Sequence, residues 1–270
     1  MKHLVVGLMV LFAWSMAMAV PRSVEVDQAT LADQPAGILA ANFVDRVIHD
    51  LPVDVHLSLL KGIDPDSLES ELDSQQKQLA FWLNIYNGFT QYLLKTDPSL
   101  YQQDRSAFFG KEQIAIAGFT VSMDDIEHGV LRRGAVGFSL GFIRNLSFRK
   151  PFIRQFAVTE VDYRIHFALN CGARSCPPVM VYQAQGLDRQ LDDNSRYYLQ
   201  KEVRFESDKN RVYVPALLNW FKADFGSTDD QRAMLVRYGV LPEGTQPKIR
   251  FLDYDWTMEI ENYRHSDLVP

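Results

Sequence analysis

The sequence predicts an α+β fold: a single mixed helix and sheet domain with a long central helix and a buried strand leading into a loop that carries both cysteines. Three patterns predict it. Between Ser67 and Lys95 apolar residues hold one helical face, with Trp82, Ile85, Tyr86, Phe89 and Leu93 in register. From Tyr163 the period changes to two, with Ile165, Phe167 and Leu169 on one side and His166, Ala168 and Asn170 on the other. Helical and extended stretches intermix without the strand-helix-strand rhythm of a parallel sheet.

Taken in order, residues 20–37 are polar and irregular, and a first helix follows over Ala36 to Leu51, with Phe43, Val47 and Leu51 four residues apart. The long helix spans Ser67 to Lys95. Short extended runs fill 106–121, including Gln113 to Val121. Ser122 then reads as the N-cap of a short helix carrying His128, with Asp125 three residues on. Beyond the predicted strand, Gly172, Pro177 and Pro178 force a loop. Leu187 to Lys201 reads as a helix, Val203 to Val214 as a hairpin, and Leu217 to Phe225 as a short helix closed by Gly226.

The N-terminus has the grammar of a secretory leader. Lys2 precedes an apolar run from Leu4 to Trp14, and Ala17-Met18-Ala19 supplies the small residues of a cleavage site. Residues 1–19 are therefore expected to be a signal peptide, and 20–270 a single globular domain, periplasmic or secreted, that meets the membrane only during export. The run is short for a bilayer span of roughly 20 residues, and Pro21 interrupts it. A hydrophobic content of 47% is enough for a sizeable core. The net charge of −6 disfavours nucleic acid as a partner. An unknown small molecule or peptide is the expected partner; the oligomeric state is open.

Three polar segments interrupt otherwise apolar elements. Asn84 and Asn87 lie three apart on the long helix among aromatics, so they share a face. Buried amides need partners or cost about 1–3 kcal/mol, which fits either a structural network or a polar site floor. The second segment, Asp124 to Arg132, carries His128, a side chain suited to proton transfer near neutral pH. The third places His166, Asn170, Cys171, Ser175 and Cys176 together where the predicted strand opens into its loop.

Cys171 with His128 as its base would be the minimum apparatus for acyl transfer, since a thiol becomes a useful nucleophile when a His lowers its pKa. Strand alternation turns His166 away from Cys171, which leaves His128 as the natural partner. Asn84, Asn87, His166, Asn170 and Ser175 are then the expected substrate-binding residues. Two other readings of the cysteines stand beside this one: a disulfide, which an oxidising compartment favours, and a zinc site built from His128, His166, Cys171 and Cys176, although the spacing matches no familiar zinc motif. No dinucleotide fingerprint, Walker loop or His-Glu-x-x-His helix is present, and no cofactor or metal is expected.

Ala80-Phe-Trp-Leu-Asn-Ile-Tyr-Asn87, Asp125-Ile-Glu-His128 with Leu131-Arg132, and His166 through Pro178 resemble the domain-of-unknown-function 547 family. Leu218 to Gly226 is similar to that family's closing motif, so the resemblance covers roughly residues 70–226. It implies no reaction. It favours Cys171 over Cys176 as the functional thiol, because the Cys-Gly pair is the more usual feature of the family's pattern. The functional expectation is thus an exported thiol-dependent hydrolase or transferase acting on an amide or thioester. The alternative is a non-catalytic binding or scaffolding domain whose polar motifs knit one fold and hold a peptide or glycan in the resulting cleft.

Overall fold

A computed structural model describes residues 28–135, 140, 142 and 149–264, so the expected leader at 1–19 lies outside the described residues. The fold is α+β, with helices predominating over two small sheets. At its centre is the helix Gln75–Thr96, capped by Ser74, whose hydroxyl accepts from the Lys77 amide. Every residue from Leu79 to Gln91 on it is buried. That is possible because helix Ala36–Ile48 packs along it and helix Leu187–Glu202 touches it from another side. Phe43 of the first meets Phe89 of the central helix with ring centroids 5.0 Å apart. Trp82 is fully buried and meets Phe81 and Phe152 edge-on, each such side chain contributing about 1.5–3 kcal/mol.

The single helix expected over Ser67 to Lys95 is instead two. Asp64 caps a separate helix, Pro65–Glu71, by accepting from the Ser67 amide, and Pro65 sits in its first turn. A fresh cap at Ser74 then starts the central helix, so capping chemistry divides what apolar spacing alone would join.

Strands β1, Ile114–Ile116, and β2, Phe119–Val121, form a hairpin. Ala117 and Gly118 between them both have positive φ, as a two-residue primed turn requires. Strands β3, Arg204–Glu206, and β4, Arg211–Val214, pair antiparallel where the hairpin was expected. Strand β5, Lys248–Phe251, adds parallel to β4, a long-range pairing with no local signature. The segment expected as one helix, Leu217 to Phe225, is two one-turn α-helices, Leu217–Trp220 and Lys222–Phe225.

The strand predicted from Tyr163 is absent. Tyr163–Phe167 is a 3₁₀ helix, and residues 165–170 are all buried, so their alternation separates no two faces. Side-chain amides replace a neighbouring strand as backbone partners. Asn87 donates to the Ala168 carbonyl at 2.9 Å and accepts from the Asn170 amide at 2.9 Å. Asn194 donates to the Phe167 carbonyl at 2.7 Å. With these backbone groups satisfied by side chains, the segment needs no neighbouring strand at those positions.

Candidate functional site

The central helix holds the cysteine loop through three amides on one face. Asn84 brackets Tyr182, donating to its carbonyl at 2.7 Å and accepting from its amide at 2.9 Å. Asn87 brackets Ala168 and Asn170 as described above, and Gln91 donates to Asn170 Oδ1 at 2.9 Å. Asn170 completes the loop by donating to the Pro177 carbonyl at 2.7 Å and accepting from the Gly172 amide at 2.8 Å. All four amide side chains belong to fully or almost fully buried residues. Gly172 has φ 75°, and a Cβ there would run into Leu94.

This scaffold presents one wall of a cleft of about 320 Å³. Tyr86, Asp124, Glu127 and His128 supply polar groups to it, while Leu169, Cys171 and Pro177 come from the loop. Trp220, Phe221, Tyr254 and Trp256 supply an aromatic wall, in which Tyr254 lies 4.8 Å from Trp220 and 4.6 Å from Trp256 between ring centroids. These aromatics are only partly buried, unlike those of the core.

The reciprocal cap expected at Ser122 is formed: its hydroxyl accepts from the Asp125 amide at 3.0 Å, and its own amide donates to Asp125 Oδ2 at 3.1 Å. The helix then widens into a π-helical turn, Asp125–Leu131, of the kind that often marks functional positions. It carries Glu127, which accepts from the Tyr86 hydroxyl at 2.9 Å, and His128. Burial raises Asp124 above its ordinary carboxylate pKa against the lowering pull of His128, and the charges of Glu127 and Asp125 add to the rise.

Beneath the cleft lies a buried charged group. Asp224 Oδ2 accepts from Arg132 Nε at 2.6 Å and faces His166 Nε2 at 2.8 Å, with the Asp224 and Arg132 side chains both 0% exposed. Burial alone would raise the Asp224 pKa, but the bonds from His166 and Arg132 outweigh it and hold the carboxyl at about 2. Burial pushes His166 down from its ordinary value despite its bond to Asp224. His166 is therefore neutral, donates through Nε2 to the carboxylate, and keeps its lone pair on Nδ1. Phe221 stacks on the His166 ring at 3.9 Å and lies 4.6 Å from the Arg132 guanidinium.

Arg132 also reaches His128 Nδ1 at 3.0 Å through NH1. Arginine only donates, so Nδ1 accepts and the ring proton sits on Nε2. The lone pair that a base would use is thus engaged, and His128 is arranged as a donor. Of the two imidazoles, His166 keeps the free lone pair.

Residues 70–199 match the family described as "Protein of unknown function, DUF547". The chain carries a DUF547 domain. No curated protein and no solved structure matches the chain. The matched stretch holds the amide scaffold, the π-helical turn and both cysteines of the DUF547 domain, whereas Asp224 and the Trp220–Trp256 aromatic wall lie beyond it.

The structure brings Cys171, His128 and His166 to one cleft. It does not bring Asn84, Asn87 or Asn170 there, since their amides are engaged by the backbone beneath the loop. Ser175 is likewise engaged, its hydroxyl accepting from the Asp255 amide at 2.9 Å. The inference that His166 faces away from Cys171 fails with the strand on which it rested. Cys171 is joined to Cys176 in a disulfide, so it presents no free thiol. Among the described residues no cluster of three His, Cys, Asp or Glu side chains is placed to hold a metal ion, and the zinc reading has no ligand set. Sequence reasoning missed Arg132, Asp224, Glu127 and the aromatic wall. Arg132 and Asp224 stand inside quoted motifs, and the closely spaced Tyr254 and Trp256 were the remaining signal.

Proposed function

We propose that the chain is exported and that its cleft binds a glycan, the aromatic wall receiving the apolar face of a sugar ring and the Asp124–Glu127 pair accepting its hydroxyls. The observation that carries this reading is the partly exposed Trp220–Tyr254–Trp256 cluster on the same cleft as two carboxylates. Aromatic faces beside a few convergent polar groups are the usual composition of a small-molecule site. The disulfide weighs on the same side, because the oxidised protein offers no nucleophilic thiol. The leader-like residues 1–19 support export.

The test is titration of the purified mature chain with a panel of cello-, chito- and malto-oligosaccharides and with unrelated tetrapeptides, read by tryptophan fluorescence and calorimetry. At least one oligosaccharide series is expected to bind, and Trp220→Ala to weaken it at least tenfold. Binding of the peptides alone, or oligosaccharide binding indifferent to Trp220→Ala, would overturn the reading.

A second reading retains the thiol-dependent hydrolase or transferase, and the His166–Asp224 pair favours it. Once the disulfide is opened, Cys171 would be the nucleophile, His166 the base oriented by Asp224, and His128 a donor to the developing oxyanion. Thioester hydrolysis that depends on a phosphine reductant and is lost in Cys171→Ser would support it. Equal turnover by wild type and Cys171→Ser would remove it.

A further inference from the structure

The Cys171–Cys176 pair is not symmetrical with respect to the cleft. Cys171 is partly exposed and lines the wall, whereas Cys176 lies behind it at 1% exposure. The backbone donors are directed at the hidden sulfur. The backbone amides of Cys171 and Ala173 each point to Cys176 Sγ at 3.1 Å, and the Tyr254 hydroxyl lies 3.3 Å from it and 3.1 Å from Cys171 Sγ. A disulfide sulfur is a weak acceptor, whereas a thiolate is a strong one. Two backbone amides aimed at Cys176 alone, with the Tyr254 hydroxyl within reach of both sulfurs, therefore favour the state in which the Cys176 sulfur is an anion. Burial holds the Tyr254 phenol protonated, so it acts as a donor.

We propose that Cys171–Cys176 is a redox-active disulfide that exchanges with dithiols entering the cleft, with Cys171 as the sulfur attacked and Cys176 as the leaving thiolate. The thiolate of an incoming dithiol attacks Cys171 Sγ from the cleft. A sulfur–sulfur bond forms between them, the Cys171–Cys176 bond breaks, and its electron pair passes to Cys176 Sγ under the two backbone amides, with the Tyr254 hydroxyl in reach. The second thiol of the substrate gives up its proton and attacks its own sulfur in the mixed disulfide. Cys171 leaves with the electron pair and takes up a proton. In sum, one dithiol is oxidised to a disulfide and the protein pair is reduced by two electrons. Exposure selects which sulfur is attacked, and the donors stabilise the one that leaves, the two features that set the rate and direction of exchange.

This activity goes beyond the glycan reading and shares the cleft and Tyr254 with it. The test equilibrates the folded mature chain with glutathione buffers of graded ratio. Samples are acid-quenched and alkylated, thiols are counted by mass spectrometry, and circular dichroism is followed in parallel. The pair is expected to open reversibly within the series while the fold persists. Tyr254→Phe, which removes one donor to the thiolate, is expected to shift the equilibrium at least threefold towards the disulfide. In Cys176→Ser, Cys171 is expected to trap glutathione as a mixed disulfide at a rate well above that of a model thiol peptide. A pair that stays closed throughout the series, or opens only as the protein unfolds, would overturn the proposal, and this measurement needs no variant. A Tyr254→Phe equilibrium unchanged or shifted towards the thiols would overturn the role of the donors. Oligosaccharide binding by Cys176→Ser reports separately on the glycan reading.

Discussion

Asp224→Asn preserves the shape of the side chain that joins Arg132 to His166 and removes its charge. Asp224 ionises at about 2 in the folded chain against an ordinary 3.8. At 1.36 kcal/mol per pKa unit, its ionisation contributes roughly 2.5 kcal/mol at neutral pH. The sign follows from the depressed pKa: the contribution is complete well above 3.8 and is lost as pH falls towards 2. The substitution also leaves the Arg132 guanidinium opposite a neutral amide, and breaking a buried pair by removing one partner costs about 3–5 kcal/mol. These figures describe overlapping parts of one effect, so Asp224→Asn should destabilise by about 2–5 kcal/mol. Urea unfolding of wild type and variant from pH 7 down to pH 2.5 measures it. The gap should be full at pH 7 and narrow below about pH 4, as the carboxyl of the unfolded wild-type chain takes up its proton while the folded one stays ionised down to about pH 2. A gap under 1 kcal/mol at pH 7, or one that does not narrow in acid, would refute the reasoning. His166 acts in a separate window, because burial lowers its pKa from 6.5. Stability held by its neutral ring is complete above that value and declines as pH falls below it.

Asn87→Leu strands the Ala168 carbonyl and the Asn170 amide in a fully buried place, and should cost about 1–3 kcal/mol by thermal or urea unfolding; an unchanged melt would show that the clamp is dispensable. Gly172→Ala puts a side chain at φ 75° and against Leu94, and about 1–3 kcal/mol of stability should be lost; a variant as stable as wild type would mean that the loop can relax. Mass spectrometry of the chain from its native host should find an N-terminus at Val20. Detection of Met1 on the mature protein would refute the leader reading.

Local sequence determined a good deal. The helix Ala36–Ile48, the Ser122 cap, the helix Leu187–Glu202 and the β3–β4 hairpin were legible because apolar period, capping residues and turn residues act within a few positions of one another. The burial of Asn84 and Asn87 was legible too, since an amide on an aromatic helix face has few other places to go. Tertiary structure decided whatever depended on a partner distant in the chain. Alternation from Tyr163 to Asn170 signals a strand only when another strand supplies its hydrogen bonds, and here Asn87 and Asn194 supply them. The apolar face from Ser67 to Lys95 predicts helix and is silent about the two caps that divide it. His128 and Cys171 line one cleft, yet their roles are set by Arg132, which engages the lone pair of His128, and by Cys176, which ties up the sulfur of Cys171. Arg132 takes its place from Asp224, 92 positions along the chain. Proton position and thiol state depend on which donors and acceptors lie within about 3 Å, and a linear sequence carries no information at that range until it folds.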